Sequence, residues 1–474
     1  MEKYKNYKDS GIEWIGEIPE HWKLDKINRL FKINTGFTPP TGNDGYYKDG
    51  QHVWITIRDL EGKYVSDSKT KLTDLAVRGK TKVPKGSLLY SFKLSVGQMA
   101  FAIKDLYTNE AIFSIFPNDN INLNYYYYLL DRILIHNSNE NIYGAKILNQ
   151  ELIKAAKLVI PSKDEQNQIA NYLDYKTTQI DRLVAKKEQL IKLLQEERTA
   201  IINLAVTKGI PQSRSSSVVT EFSRSGVETW SSSGVEMGLS SGVEMGLSSG
   251  VEMKDSGIEW LGQIPKHWEF CKIKNVTQKI GSGVTPRGGA EVYRSSGVPL
   301  IRSQNVYFDG FKLENVAYIT KDVHNLMINS KVLRGDVLLN ITGGSIGRCY
   351  FVTDEFNEAN VNQHVCIVRP NERISTEFIY YILSSKIGQL QIDLCQTGGN
   401  REALNFEQLK RFLFGLPPIE EQKQIINFIE SEEIRINTII TKTQQEIALL
   451  KEYKTALISE VVTGKVDIRN VVLN

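Results

Sequence analysis

The sequence has few cysteines and few histidines, and neither residue type is spaced for metal or redox chemistry. Its four cysteines all lie in the second half, and they include no Cys-x-x-Cys pair. This pattern predicts neither a zinc site nor a disulfide framework, and it fits a reducing cytoplasm. The six histidines include no pair at the spacing of metal ligands. We therefore expect no metal centre.

The sequence also lacks the apolar segments that a membrane or an export pathway requires. No run of 18 apolar residues occurs, and the first residues, MEKYKNYKDSG, contain no apolar core. We therefore expect neither a transmembrane helix nor a signal peptide. The net charge is only +3 over 474 residues. Because this excess is so small, charge alone gives no argument for nucleic-acid binding.

Catalytic motifs are missing as well. A phosphate-binding loop ending at residues 78–81 would need glycine at position 74, where the Asp74 carboxylate would repel a phosphate. Gly343-Gly344-x-x-Gly347 opens no periodic helix, which favours a tight turn over a dinucleotide site. No Gly-x-Ser-x-Gly elbow occurs, and neither Pro-Pro pair has the neighbours that an amino-methyltransferase needs. The chain is therefore not expected to be an enzyme by itself.

What the sequence does contain is a long internal duplication. Residues 8–27 and 254–273 agree at 14 of 20 positions, and both contain Trp-x-Gly-x-Ile-Pro-x-His-Trp. Three further motifs follow in the same order in both halves. They are Gly-x-Thr-Pro (36–39, 283–286), Asn-[Glu/Gln] (109–110, 362–363) and [Ile/Leu]-Pro…Glu-Gln-x-Gln-Ile (160–169, 416–425). Because a period of about 250 residues is domain-sized, the sequence predicts two similar domains.

Each copy joins a globular segment to a long segment with a heptad pattern. Short β-type runs with turn signals predict strands in 1–163 and in 254–418. The tyrosine-rich stretch 124–134 predicts a half-buried helix, with a base-stacking platform as the alternative. Apolar residues recur at alternating steps of three and four in 164–208, and 419–464 has a similar pattern. These two segments are predicted to be long helices.

A helix with a single apolar stripe needs a partner, and two related helices can bury each other's stripes. If a pseudo-twofold axis relates the halves, the helices run antiparallel and hold the domains apart. The alternative is that each helix packs on its own domain. The expected fold class is therefore α+β, with two similar mixed α/β domains separated by two long helices that form an antiparallel coiled coil.

The segment 209–253 has a different composition from the rest of the chain. It repeats SSGVEMGL with a period of eight, which places glycine at every fourth residue. Each glycine costs about 1 kcal/mol in a helix relative to alanine, so we expect a flexible linker rather than a helical spacer. A C-terminal tail, 465–474, follows the second long helix.

Taken together, the ordered and duplicated motifs resemble the specificity (S) subunit of type I restriction–modification systems. The resemblance covers nearly the whole chain outside 209–253. It implies that each globular segment is a target recognition domain for one half of a split double-stranded DNA site. It also implies that the helices set the spacing and dock two modification (M) subunits.

The same resemblance implies which chemistry belongs to the partners. The M subunits would carry S-adenosylmethionine and methylate adenine N6, and restriction (R) subunits would use ATP and magnesium. No cofactor is expected in this chain, and a cytoplasmic location is expected.

Base edges in DNA are read by Arg, Lys, Asn and Gln side chains on loops or at strand ends. For each such residue the alternative is a solvated surface group. The candidates are Arg58, Lys93 and Gln98 in the first domain and Arg302, Gln304, Asn305, Arg348 and Arg401 in the second. The candidate subunit-interface residues on the helices are Gln166, Ile169, Leu183, Leu194, Gln422, Ile425, Ile439 and Leu450.

Outside the shared motifs the two halves diverge, which predicts two different half-sites and a non-palindromic target. Two other functions remain open from the sequence. One is a coiled-coil assembly protein whose globular ends bind proteins or glycans. The other is the specificity subunit of a fused restriction–methylation enzyme, with the same DNA role but different partners.

Overall fold

The computed structural model describes residues 2–93, 95–136, 139–140, 146–210, 251–396 and 403–473. Most of the repeat segment 209–253 and the candidate Arg401 therefore lie outside the described residues. The chain forms two compact units, one of Met1–Glu188 with Gln444–Asn474 and the other of Gln189–Thr443. Each unit contains one globular domain and part of both long helices.

Among its described residues, the first domain contains short strands and four short or medium helices before its long helix. The strands are β1 Tyr7–Asp9, β2 Glu17–Pro19, β3 Lys23–Lys26, β4 Ile33–Thr35, β5 His52–Ile55, β6 Tyr64–Val65, β7 Lys71–Leu72, β8 Leu88–Ser91, β9 Met99–Ala102, β10 Tyr107–Thr108, β11 Ile112–Ile115, β12 Asn139–Glu140, β13 Lys146–Ile147 and β14 Lys157–Ile160. The helices are α1 Ile27–Leu30, α2 Asp74–Val77, α3 Leu123–His136, α4 Gln150–Ala155 and the long α5 Lys163–Lys208.

The second domain repeats this plan. Its strands are β15 Met253–Asp255, β16 Gln263–Pro265, β17 Glu269–Lys272, β18 Thr277–Ser282, β19 Val298–Ile301, β20 Val306–Tyr307, β21 Gly310–Phe311, β22 Ala317–Ile319, β23 Val337–Asn340, β24 Cys349–Phe351, β25 Asn360–Val361, β26 Val365–Pro370 and β27 Leu413–Leu416. Its helices are α6 Lys321–Leu326, α7 Thr376–Ser384, α8 Lys386–Gln396, α9 Phe406–Lys410 and the long α10 Ile419–Val462.

Both domains are built on a pair of sheets. In the first domain the strand orders are β4-β11-β8-β9-β6 and β10-β5-β7; in the second they are β18-β26-β23-β24 and β22-β19-β25. Ile55, Leu89 and Ile112 pack in one buried cluster of the first domain. Ile301 and Leu338 belong to the matching cluster of the second. The predicted α+β class with two similar domains is confirmed.

The tyrosine-rich helix α3 lies against the core, as the packing interpretation predicted. Tyr125 and Tyr126 have no exposed surface, and Tyr128 is 8% exposed. The Tyr125 hydroxyl donates a hydrogen bond of 2.9 Å to the carbonyl of Val462 at the end of α10. Because three of the four tyrosines are buried, α3 is not a base-stacking platform. Its counterpart in the second domain is divided into α7 and α8 at Ser385.

The helix α5 begins where the local sequence can cap it. The Ser162 hydroxyl donates to the Glu165 carboxylate at 3.0 Å and accepts from the Glu165 N–H at 3.3 Å. This reciprocal cap satisfies polar groups that the first helical turn leaves without partners. After the last turn, Gly209 adopts φ +80°, which favours glycine. The predicted start at 164 and end at 208 therefore agree with the observed helix to one residue.

Polar contacts between α5 and α10 show the direction in which the helices run. In the first unit, Lys187 pairs with Glu446 at 2.5 Å and Asp181 pairs with Lys454 at 2.7 Å. The residue number of the partner in α10 rises as the residue number in α5 falls, so the helices are antiparallel. In the second unit, Glu197 pairs with Arg435 at 2.8 Å and Arg198 lies 3.5 Å from Asn437, which gives the same direction. The predicted antiparallel pairing is confirmed.

The apolar seam of α5 differs from the predicted one by one position. A step of three from Ile180 and a further step of seven would place Leu183 and Leu190 on the seam, but these residues are 43% and 42% exposed. Ile180, Val184 and Leu194 are the buried residues along this part of the helix. After Ile180, steps of three and four both satisfy a heptad pattern, so the spacing alone did not fix the register.

The duplicated His-Trp motif joins each domain to the start of its own long helix. Trp22 is fully buried, and its indole N–H donates to Glu165 Oε1 at 3.4 Å, with His21 Nε2 2.9 Å from the same oxygen. Burial alone would raise the pKa of Glu165, but hydrogen bonds, that from His21 first, hold it below its usual value. In the second domain Trp268 donates to Glu421 at 3.0 Å. The motif is therefore a packing corner.

The end of each long helix packs on the tryptophan of the other domain's motif. A Cβ atom on Gly209, which ends α5, would lie 3.6 Å from the ring of Trp268. A Cβ atom on Gly464, which follows α10, would lie 2.9 Å from the ring of Trp22 and 2.4 Å from Pro19. In each unit, the start of one long helix and the end of the other therefore pack on a single tryptophan.

The structure gives several predicted subunit-interface residues a role inside the chain. Gln166 and Gln422 are 2% and 0% exposed, and they accept backbone N–H groups of Asn122 and Ser375 at 2.9 Å. Ile169, Ile425 and Leu194 are also buried. These five side chains therefore pack or form hydrogen bonds within their own units. Ile439 and Leu450 are half-buried and Leu183 is exposed.

Within the described ranges, no helix combines the length and the apolar character needed to cross a membrane.

Candidate nucleic-acid interface

A tight 3-10 turn follows β5 and presents Arg58. The Asp59 carboxylate accepts hydrogen bonds from the Thr56 N–H at 2.7 Å and from the Thr56 hydroxyl at 2.8 Å. These bonds hold the turn in place. Arg58, which lies between Thr56 and Asp59 in the turn, has an exposed side chain. The backbone is therefore rigid at a position whose side chain is accessible.

The same turn follows β19 in the second domain and presents Gln304. Here Asn305 Oδ1 accepts from the Arg302 N–H at 3.1 Å, and Asn305 Nδ2 donates to the Lys312 carbonyl at 2.8 Å. Asn305 is 1% exposed, whereas Gln304 is exposed. Arg58 and Gln304 thus occupy equivalent positions. Asn305, which is also predicted to contact a base, has a buried amide that holds the turn.

A second pair of equivalent positions lies where β9 and β24 begin. The Ser91 N–H donates to the carbonyl of Gln98 at 2.9 Å, and the Asn340 N–H donates to the carbonyl of Arg348 at 2.8 Å. The matching bonds place Gln98 and Arg348 at the same point of the two hairpins. Gln98 is exposed and Arg348 is half-buried.

The third part of each site is the motif Asn-[Glu/Gln], which directly follows β10 and β25 and is tied to Gly-x-Thr-Pro. Thr38 donates its hydroxyl to Glu110, and Thr285 donates to Gln363. The hydrogen bond from Thr38 holds the pKa of Glu110 below its usual value, and the nearby Lys93 ammonium adds to the effect. Glu110 is therefore ionised at neutral pH and can only accept hydrogen bonds.

The glycine of Gly-x-Thr-Pro is required by a close approach of two backbone segments. A Cβ atom on Gly36 would lie 2.1 Å from the carbonyl oxygen of Thr108, and one on Gly283 would lie 1.6 Å from that of Val361. Neither distance is compatible with a side chain. The glycine thus lets this segment approach the end of the strand that precedes Asn-[Glu/Gln].

In the first domain these parts surround one open groove. Its volume is about 1300 Å³, and Arg58, Gln98 and Asn109 lie along it. Asp59 and Asp67 also line it, and a backbone hydrogen bond from residue 68 holds the pKa of Asp67 below its usual value. The groove therefore combines cationic and amide donors with carboxylate acceptors, which is the chemistry that base edges require.

The remaining residues that are predicted to contact bases differ in how accessible their side chains are. Arg302 donates through Nη2 to the carbonyl of Asn315 at 3.1 Å and lies 5.6 Å from the ring of Tyr293. It therefore braces the turn that presents Gln304. The Arg348 guanidinium lies 4.8 Å from the ring centroid of Tyr307, which leaves its edge accessible. Lys93 is exposed, next to Phe92.

Sequence reasoning missed a polar cluster in the second domain. The Thr342 hydroxyl lies 2.7 Å from His364 Nδ1, and Gln363 Nε2 lies 3.0 Å from His364 Nε2. Thr342 is equivalent to Lys93, because both lie two residues after the paired positions Asn340 and Ser91. The aligned halves contained this signal, since position 364 directly follows the Asn-Gln motif.

Among the described residues, no group of three or more His, Cys, Asp or Glu side chains is placed to hold a metal ion.

Comparison of the sequence with known proteins and family models identifies the family. The Type I restriction modification DNA specificity domain matches residues 19–193 and 265–449. The MjaIX specificity subunit of a type I restriction enzyme from Methanocaldococcus jannaschii is 22% identical and aligns over 96% of this chain and 95% of its own length. The EcoBI specificity subunit from Escherichia coli is 23% identical, with 97% and 90% covered.

Two solved structures share the fold. A chain studied for complex assembly and conformational transition of the type I R-M system superimposes with a TM-score of 0.63 at 13% identity, over 95% of this chain and 99% of that chain. The HsdS subunit from Thermoanaerobacter tengcongensis gives 0.55 at 13% identity, over 95% and 98%. The two family matches fall one on each copy of the duplication, and each includes a site of the kind described above. The chain belongs to the type I restriction–modification DNA specificity family, with one specificity domain in each half.

Proposed function

We propose that this chain is the DNA-reading subunit of a type I restriction–modification complex, in which each domain reads one half of a bipartite, non-palindromic site. The observation that carries the proposal is that one backbone scaffold presents different side chains in the two domains. Arg58 stands where the second domain has Gln304, and Gln98 stands where it has Arg348.

This pattern of difference is what reading two half-sites requires. Arginine suits the two acceptors of guanine, whereas glutamine pairs with the donor and acceptor of adenine. Glu110 accepts hydrogen bonds only, while its counterpart Gln363 can also donate. A different side chain on the same backbone turn changes which base is preferred. It does not change how the domain is placed on the duplex. Two different half-sites follow.

The long helices support a role in spacing and assembly. In the first unit, Leu183 of α5 and Leu449 and Tyr453 of α10 are exposed apolar side chains on the paired helices. Exposed apolar side chains in such an arrangement favour a docked protein partner. We propose that they contact M subunits, which supply S-adenosylmethionine for adenine N6 methylation. R subunits, with ATP and magnesium, complete the complex in the cytoplasm, and this chain supplies no catalytic group or cofactor.

Salt-dependent DNA binding tests this proposal against a coiled-coil protein with protein- or glycan-binding ends. With the M partner bound, affinity for random duplex DNA should fall by about 10³-fold between 50 and 200 mM salt if about six phosphates are contacted. Lys93→Gln should reduce the slope of log affinity against log salt by about 1. The matched control is Lys266→Gln, since Lys266 pairs with Glu252 in the duplicated motif segment.

Binding that is absent, or that does not respond to salt, would favour the assembly protein. Co-purification then distinguishes the remaining alternative, because a fused restriction–methylation enzyme would bring a single large partner in place of separate M and R subunits.

A further inference from the structure

The first domain contains a cation site that the chain fills by itself. The Lys63 ammonium lies 5.3 Å from the ring centroid of Tyr127 and 5.5 Å from that of Tyr128. It also pairs with the carboxylate of Asp174, which accepts a hydrogen bond from the Tyr128 hydroxyl. Aromatic faces and a carboxylate together stabilise an ammonium group strongly.

The second domain has the same walls. Tyr127 and Tyr128 lie five and six residues after Asn122, and Tyr380 and Tyr381 lie five and six residues after Ser375, whose N–H makes the same bond as that of Asn122. The carboxylates follow the same rule. Asp174 is eight residues after Gln166 in α5, as Glu430 is after Gln422 in α10, and Thr177 and Glu433 are both eleven residues after these glutamines.

A tyrosine hydroxyl contacts the later of these two helix positions in both domains. The Tyr381 hydroxyl donates to Glu433 at 3.0 Å, and the Tyr128 hydroxyl lies 3.2 Å from the hydroxyl of Thr177, which stands at the position of Glu433. The second domain has two carboxylates at these positions where the first domain has one. Glu433 replaces the neutral Thr177, and Glu430 retains the negative charge of Asp174.

The lysine, however, has no counterpart in the second domain. Glu61-Gly62-Lys63 corresponds to Asp309-Gly310-Phe311, and both glycines have a positive φ. The ring of Phe311 packs 5.5 Å from Tyr350 and 5.3 Å from Phe356, and Phe311 is not among the residues that line the cavity described next. The ammonium group of the first domain is therefore replaced by an apolar side chain that packs against other aromatic rings.

The result is an open cavity of about 620 Å³ in the second unit. Its aromatic walls include Phe308, Tyr380 and Tyr381, and its acidic walls include Glu430 and Glu433. Among the described residues, neither glutamate makes an ion pair. Burial, with repulsion from neighbouring carboxylates, raises the pKa of Glu430, which an approaching cation would reverse.

Among the described residues that line this cavity, Arg198 carries the positive charge. It lines the cavity, but its Nη1 is directed to Asn437 at 3.5 Å. With Asp309 also on the rim, three carboxylates face one guanidinium. The cavity therefore has an unbalanced negative charge beside aromatic faces.

We propose that this cavity binds a primary alkylammonium group, the chemistry that Lys63 supplies from within the chain in the first domain. The site takes either a lysine side chain of a partner protein or a free polyamine. The inference does not depend on which DNA sequence the domains read.

Calorimetric titration of the full-length chain with N-acetyl-lysine methylamide and with spermidine tests the proposal. We expect one equivalent of each probe to bind, with no binding of the uncharged N-acetyl-norleucine methylamide. The double variant Glu430→Gln/Glu433→Gln should weaken binding by at least about tenfold, because it removes the charge but keeps the shape. No binding by the wild type, or equal binding by the double variant, would overturn the proposal.

The two probes also separate the sources of the ligand. Tighter binding of spermidine favours a free polyamine, and tighter binding of the lysine amide favours a partner's side chain. As a matched control, Lys63→Met should open the equivalent site and raise the stoichiometry from one to two. If the Lys63→Met variant still binds one equivalent, the two sites are not equivalent and the proposal loses its basis. Thermal unfolding of each variant checks that the fold is kept.

Discussion

Replacing Trp268 by alanine is expected to destabilise the second unit by about 3–5 kcal/mol, the usual cost of removing a fully buried tryptophan. Trp268 is 1% exposed, and it lies in the cluster that also contains Val206 of α5 and Ile425 of α10. Its indole N–H also donates to Glu421, which would lose this donor. One substitution therefore loosens the domain from both long helices.

Trp260 provides the matched control, because it is a tryptophan of the same duplicated motif that is only half-buried. The Trp260→Ala variant should lose about 1 kcal/mol or less. Hydrogen exchange of the amides in β17 and β27 measures the local free energy of opening, which suits a chain with two units. If both variants change exchange in these strands equally, Trp268 is not the packing corner described above.

The Gly283→Ala variant is expected to lose at least about 1–3 kcal/mol of stability and most of its binding to one half-site. The added Cβ would lie 1.6 Å from the carbonyl oxygen of Val361, so a backbone segment must move. That movement breaks the hydrogen bond from the Gly283 N–H to the Asn362 carbonyl, which is 3.1 Å long. Asn362 and Gln363 belong to the proposed recognition site, so DNA binding should fall together with stability.

Gly281 is the control for Gly283, since it lies in β18 and a Cβ atom there would meet nothing within 4 Å. Thermal unfolding and DNA affinity should change little in Gly281→Ala. Equal losses in the two alanine variants would mean that the strand tolerates no side chain at all, and the close approach at position 283 would not be the cause.

Much of the fold follows from the sequence because repeated motifs and heptads are local signals. The ends of α5 were predictable from Pro161 before it and Gly209 after it, which are strong helix boundaries. The register of the seam was not predictable, since Leu183 and Val184 both fit the spacing. Only the opposing helix decides which of them is buried.

The site was predictable only in part, because sequence gives residue types but not hydrogen-bond partners. Arg58, Gln98 and Gln304 are exposed around the predicted turns and hairpins, so they remain candidates for base contacts. Asn305 and Gln166 are polar residues of the right type that instead satisfy backbone groups inside the fold. A buried amide and an exposed amide look the same in a sequence, and only the three-dimensional packing separates them.

The most direct test of two-domain reading is sequencing of modified bases in cells that express the chain with its M subunit. Arg58→Ala should relax base preference in one half of the methylated motif, and Gln304→Ala should relax it in the other half. Each lost bidentate contact should reduce discrimination by about 1–3 kcal/mol, and the gap between the half-sites should stay unchanged. Arg29→Ala, which removes an exposed arginine outside both sites, should leave the motif intact. If Arg58→Ala and Gln304→Ala alter the same half-site, or if neither alters the motif, the two domains do not each read one half.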